Sequence, residues 1–208
     1  MTTPSSRQPS LFIPHGGGPC FFMPDPVGTW TGMAAYLRSI AASLAVRPIA
    51  ILVVSGHWET RGFAFTGSAA PALIYDYGGF PPHTYDLRYD PPGAPDLAAR
   101  ALAPLRDEGV LIVASGMSFH SMRGYGDPRF TQPSQDFDTW LTAAIALPGN
   151  ARETALNGWA DAPSARLSHP RAEHLLPLMV AAGASDAPGI HDYSELVMHT
   201  AISGYRFA

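Results

Sequence analysis

Four of the eight histidines in this 208-residue chain stand where a metal site can be assembled. His15 follows the apolar run at Leu11–Ile13, inside PHGGGP. His57 follows the run Ile49–Ser55, inside SGHWE, and His120 lies just beyond a third run, Val110–Ala114, in SGMSFH. In an open parallel sheet, functional groups collect beyond the carboxyl ends of the strands, so histidines leaving three strand ends can converge. Neutral imidazole is the commonest metal ligand and suits Zn, Fe and Cu. The fourth, His174, follows Glu173 at the start of an apolar segment read as a helix over Pro170–Ala184. Adjacent helical residues point about 100° apart, so only one of this pair is expected to reach a given site. His174 is the expected ligand, on a face with Leu178 and Ala181. Glu173 is kept in reserve, its plain reading being a first-turn carboxylate complementing the helix dipole.

Each residue also has a simpler reading. His15 can be a turn residue capping a strand, with glycines that permit φ > 0 and close backbone approach. His120 can be a satisfied core histidine, a further ligand, or a general acid/base, since an imidazole titrates near working pH. Glu59 is either the carboxylate that orients His57 through its free N–H or a solvated loop charge. Cys20, shortly after His15, is either a redox-sensitive neighbour of the site or a small buried residue. His83, His169, His191 and His199 have no strand-end placement and read as loop or surface residues. His83 stands apart because it lies in an aromatic loop from Ile74 to Pro95, with Tyr75, Tyr77, Phe80, Tyr85 and Tyr89. That loop either packs on itself or covers a substrate. The glycine run lacks a following Lys-Ser/Thr and is no P-loop, and neither an H-E-x-x-H helix nor a G-x-S-x-G elbow is present.

The elements that must hold these residues alternate. Strands are expected at Ser10–Ile13, Ile49–Ser55, Val110–Ala114 and, less regularly, over Gly62–Gly67. Ile49–Ser55 is continuous and β-branched, the pattern of a parallel strand covered on both faces. Helices are expected at Thr31–Leu44, with Met33, Leu37, Ile40 and Leu44 on one face, at Asp96–Leu105, and at Phe137–Leu147. The helix ending at Ala184 is apolar nearly all round and should be buried on both sides. Tyr193–Phe207 reads as a last strand or hairpin. The expected fold is α/β, a three-layer α/β/α sandwich around a mostly parallel (mixed) sheet. The composition, 46% hydrophobic and 14% charged, suits a globular domain, and a net charge of −4 without a basic stripe argues against nucleic acid. A single cysteine fits a reducing compartment. The polar start MTTPSSRQPS resembles no signal peptide, and the apolar runs are too short for a bilayer. The expectation is a cytoplasmic protein without a membrane partner; a homo-oligomer is compatible with it.

Five segments in this order resemble the LigB-like class III extradiol dioxygenases, on the bacterial and plant DOPA-dioxygenase branch: LFIPHGGGP, ILVVSGHWET, IYDYGGFPPHTYDLRYDPPGAPDLAAR, LRDEGVLIVASGMSFH and HPRAEHLLPLMVAAGA. The resemblance implies a single catalytic domain over 1–208. It implies one divalent ion per chain, Fe(II) or Zn(II), on His15, His57 and His174, with His120 as the acid/base. The implied reaction opens a small catecholic ring beside its two hydroxyls with O2. Where the protocatechuate-cleaving branch uses a carboxylate as third ligand, this chain follows the all-histidine pattern. It departs from its relatives in the centre. They carry several dozen more residues, including an Asp-His-Gly motif and at least one strand, between the PGAP helix and the strand like VLIVAS. Here PDLAAR runs into ALAPLRDEG, so the domain is shortened near residues 100–105 and the joint reads as one fused helix. The expected result is a domain that still pairs Val110–Ala114 in its sheet, with a pocket open on the side of the lost segment. That departure keeps alternatives in play: a zinc-binding, catalytically impaired relative, or a non-redox zinc hydrolase.

Overall fold

The computed structural model describes residues 7–61, 64–99 and 108–208. Five strands form one mixed sheet: β1 (Ser10–Pro14), β2 (Ala50–Ser55), β3 (Val110–Gly116), β4 (Ile190–Val197) and β5 (Thr200–Phe207), in the order β2-β3-β1-β5-β4. β3 runs parallel to both β1 and β2, whereas β5 is antiparallel to β1 and β4. The described helices are α1 (Thr31–Ser43), α2 (Pro95–Ala99), α3 (Thr131–Ile145), α4 (Gly149–Asn157), α5 (Ala165–Ser168) and α6 (Leu176–Gly183).

The sheet separates two apolar layers, giving the three-layer α/β/α sandwich. On one side Phe12, Ala114, Tyr205 and Phe207 pack with Phe137, Leu141 and Ile145 of α3 and Leu178 and Ala181 of α6. On the other, Met33 of α1 packs with Met117, Phe119, Val197 and Ile202. Burial of each such Leu, Ile, Val, Phe or Met side chain is worth about 1.5–3 kcal/mol. β4 and β5 close through Met198 and His199, both at positive φ (48° and 67°), as a two-residue hairpin whose twist matches its strands requires.

Several elements differ from their sequence readings. Among the described residues β2 is an edge strand, paired to β3 alone. α6 packs on the face of Val54, while Ile51 and Val53 on the opposite face are 53% and 59% exposed. An apolar run specifies the strand but not how many of its faces are covered. No strand forms over Ala64–Gly67; residues 62–63 of that expected strand lie outside the described residues. The helix expected over Asp96–Leu105 is seen at Pro95–Ala99, and residues 100–105 lie outside the described residues. α3 begins at Thr131, ahead of the expected Phe137, after an Asp127 carboxylate that accepts from the Arg129 N–H. α4 and α5 have no counterpart among the expected helices. α6 starts at Leu176, so Glu173 and His174 lie in a turn before it; Pro177 in its first turn is the reason, since proline suits a helix start and opposes a helix interior. α6 is also not buried all round, because Leu176 and Val180 face solvent.

Candidate metal centre

Parallel pairing puts the ends of β1, β2 and β3 on one edge. Pro14 is level with Gly116, and Ser55 is level with Ser115, so the residues leaving these strands start side by side. Gly16, at φ +73°, turns the chain immediately after His15, and a side chain there would strike the buried Cys20. Cys20 is thus a small packed residue, and burial pushes its thiol up. Gly116 serves a different purpose. A Cβ on it would collide with the His174 carbonyl oxygen, so only glycine lets the turn before α6 lie against the end of β3. The Met117 N–H donates to that same carbonyl at 3.0 Å.

This brings His15, His57 and His174 together. The His57 Nε2 lies 3.3 Å from the His15 Nε2 and 3.2 Å from the His174 Nε2. Nitrogens around one ion at 2.0–2.1 Å in tetrahedral geometry would be about 3.3 Å apart. The Nδ1 atoms point away from this focus, each toward a different group. The His15 Nδ1 is 2.9 Å from the Ser115 hydroxyl, and the His57 Nδ1 is 2.5 Å from the Asp76 carboxylate. The His174 Nδ1 is 3.6 Å from Glu173 Oε1, just beyond direct hydrogen-bond reach. An imidazole whose Nδ1 holds the proton presents a bare lone pair at Nε2. Three such lone pairs facing one another repel unless a cation sits among them, so the donor set fits a divalent ion.

The electrostatics agree. Burial, then the neighbouring His174, His57 and His120, pushes His15 down to about 3. Burial, then His120 and His57, pushes His174 down to about 4. Both rings are therefore neutral at pH 7, as a ligand must be. His120 stacks on His174 with ring centres 3.5 Å apart, its backbone N–H donates to the Ser168 carbonyl, and burial lowers its pKa. Its Nδ1 is 3.6 Å from Glu173 Oε1. Burial would raise the Glu173 carboxyl, but its own backbone N–H, Arg171 and the two histidines together hold it below the usual range.

Other sequence readings turn out differently. The expectation that only one of Glu173 and His174 reaches the site fails, because neither is helical and the Glu173 Oε1 lies 3.6 Å from the Nδ1 of both His120 and His174 at the edge of the stacked rings. Glu59 does not orient His57; it is 68% exposed and pairs with Arg171 at 3.3 Å. His169 is no surface residue. It is fully buried, with its Nε2 2.9 Å from the Ser118 carbonyl and its ring against Phe137 and Trp159. His191 lies within β4, its Nε2 2.8 Å from the Ser203 hydroxyl, and His83 approaches the Phe22 carbonyl. Ser115 and Asp76 are not among the residues that sequence reasoning selects. Ser115 is within its reach, as the strand-end residue level with Ile13, but no local signal brings the aromatic loop back onto His57.

No family model matches the chain. It is 30% identical to the 4,5-DOPA dioxygenase extradiol of Escherichia coli, over 88% of this chain and 87% of the relative. It is 28% identical to the 4,5-DOPA dioxygenase extradiol of Beta vulgaris, over 95% and 93%. The first alignment runs to 244 positions while using only 88% of a 208-residue chain, so several dozen positions of it face gaps here. The crystal structure of an uncharacterized Escherichia coli protein shares the fold, with a TM-score of 0.66 at 23% identity over 97% of this chain and 100% of the other. A relative matched at this identity over most of both chains decides descent, and the chain belongs to the LigB-type extradiol dioxygenase family.

Proposed function

We propose that the chain is a metal-dependent extradiol dioxygenase that opens the ring of a small catecholic compound with O2. His15, His57 and His174 would hold one Fe(II) or Zn(II) through Nε2. The observation that carries this reading is the convergence of three Nε2 atoms whose Nδ1 atoms are turned outward. Fe(II) held there would supply Lewis acidity for a catecholate and redox chemistry toward O2, whereas Zn(II), which is redox-inactive, would supply Lewis acidity alone. His120 is the acid/base. With Nδ1 turned to Glu173, its Nε2 is left to take a catechol hydroxyl proton and return it to the opened product. The edge-to-face cluster of Tyr75, Tyr77 and Phe80 forms an apolar wall suited to a flat ring. Phe80 rests on Gly18 of the PHGGGP turn, which brings this wall to the metal ligands.

A second reading, a zinc-binding and catalytically impaired relative, is favoured by the open face of β2 and by the gaps against the relatives. Oxygen uptake and ring-cleavage absorbance separate the two, with the metal-free protein loaded with Fe(II) or Zn(II) and given a catechol panel that begins with DOPA. Fe(II)-dependent uptake is expected. His57→Ala should lose the metal, whereas His120→Ala should keep it and lose about 10²–10⁴-fold in turnover. Metal binding without uptake on any catechol would establish the impaired relative or a non-redox zinc protein instead.

A further inference from the structure

We propose that Asp76 is the positioning residue that sets His57 for metal and ties the aromatic loop to the metal centre, an inference that rests on the metal-site reading above. Asp76 is on no strand end. It sits between Tyr75 and Tyr77 in the loop, yet its Oδ2 comes 2.5 Å from the His57 Nδ1. A carboxylate accepts and does not donate, so Nδ1 carries the ring proton and Nε2 keeps its lone pair toward His15 and His174. Of the three histidines, His57 most needs such a partner. Its side chain is 48% exposed, against 7% for His174, so packing alone does not hold its ring. The carboxylate is itself anchored. The Tyr75 hydroxyl donates to the Leu87 carbonyl, the Tyr77 hydroxyl donates to the Thr84 carbonyl at 2.6 Å, and Tyr85 packs against both rings. Phe80 lies on the turn that carries His15. The loop therefore touches two of the three histidine-bearing segments. Metal on Nε2 favours the ring tautomer and rotamer that Asp76 accepts from, and by reciprocity an ordered loop favours the metal.

The test compares the parent with Asp76→Ala and Asp76→Asn. Zinc affinity is measured by chelator competition, backbone deuterium exchange over residues 75–89 is followed with and without zinc, and the metal-free melting midpoint is recorded. Zinc affinity should fall about 10–100-fold in Asp76→Ala, with partial recovery in Asp76→Asn, which keeps an acceptor. Zinc should slow exchange in the loop of the parent and not in Asp76→Ala. The metal-free midpoints should agree within about 2 °C, because both partners are half-exposed. Equal zinc affinity in all three proteins, or zinc-independent loop exchange in the parent, overturns the role of Asp76 alone. A parent that binds no zinc overturns the metal site and this inference together.

Discussion

His169 offers a quantitative test of how the segment beneath His120 is built. Its ring is fully buried between Phe137 and Trp159, and its Nε2–H donates to the Ser118 carbonyl, two residues before His120. Burial pushes its pKa from 6.5 down to about 4. The unfolded chain therefore takes up a proton below about pH 6.5, while the folded chain does not until about pH 4. Between those values the unfolded state binds more protons, so stability falls as pH falls. From pH 7 to pH 5 this one group should remove roughly 2 kcal/mol, since each pH step below the unfolded pKa costs about 1.4 kcal/mol. His169→Gln keeps a donor toward Ser118 and cannot titrate, so it should lack this loss, although lost ring packing will lower its stability at pH 7. The assay is urea unfolding of the parent and of His169→Gln at both pH values, with chelator present so that no metal contributes. Carboxylates and the other histidines titrate alike in both proteins and cancel in the comparison. If the acid-induced losses of the two proteins differ by less than about 0.5 kcal/mol, with equal m-values, His169 is not held neutral by burial and its ring is not sealed between Phe137 and Trp159.

Two further outcomes follow from the same geometry. Gly116→Ala places a Cβ against the His174 carbonyl, so it should destabilise the fold by about 1–3 kcal/mol, the usual range for overpacking, and weaken zinc binding by displacing His174; thermal melts and chelator competition check both, and unchanged zinc affinity would show that the turn is not fixed by β3. Val53→Lys on the open face of β2 should change stability by no more than about 0.5 kcal/mol, and a urea-unfolding loss of about 2 kcal/mol or more would show that this face is covered in solution.

What is legible in the sequence is local. His15, His57 and His120 stand out because each follows an apolar run, and parallel register then carries three run ends to one edge without further information. His169, read as a loop or surface residue, does lie in a loop, but its burial goes unread because its partner, the Ser118 carbonyl, is remote in sequence and nothing near it signals burial. Asp76 escapes for the same reason, since the path of a long loop is set by contacts such as Phe80 on Gly18 that no spacing encodes. The start of α6 does carry a signal: Pro177 marks a first turn, and taking it so frees Glu173 and His174 from the helix and lets both reach the site. β2 is the most informative difference. Its run of Ile and Val has the composition of a strand covered twice, and it has neither charge nor proline, the usual protections of an edge. Yet it lies at the edge with Ile51 and Val53 in solvent. Such a strand keeps the residues suited to a neighbour that the described chain does not provide. Sequence and structure disagree at β2 for a physical reason: an apolar β-branched run favours extended backbone in a sheet, whereas which of its faces are covered is set by segments remote in sequence.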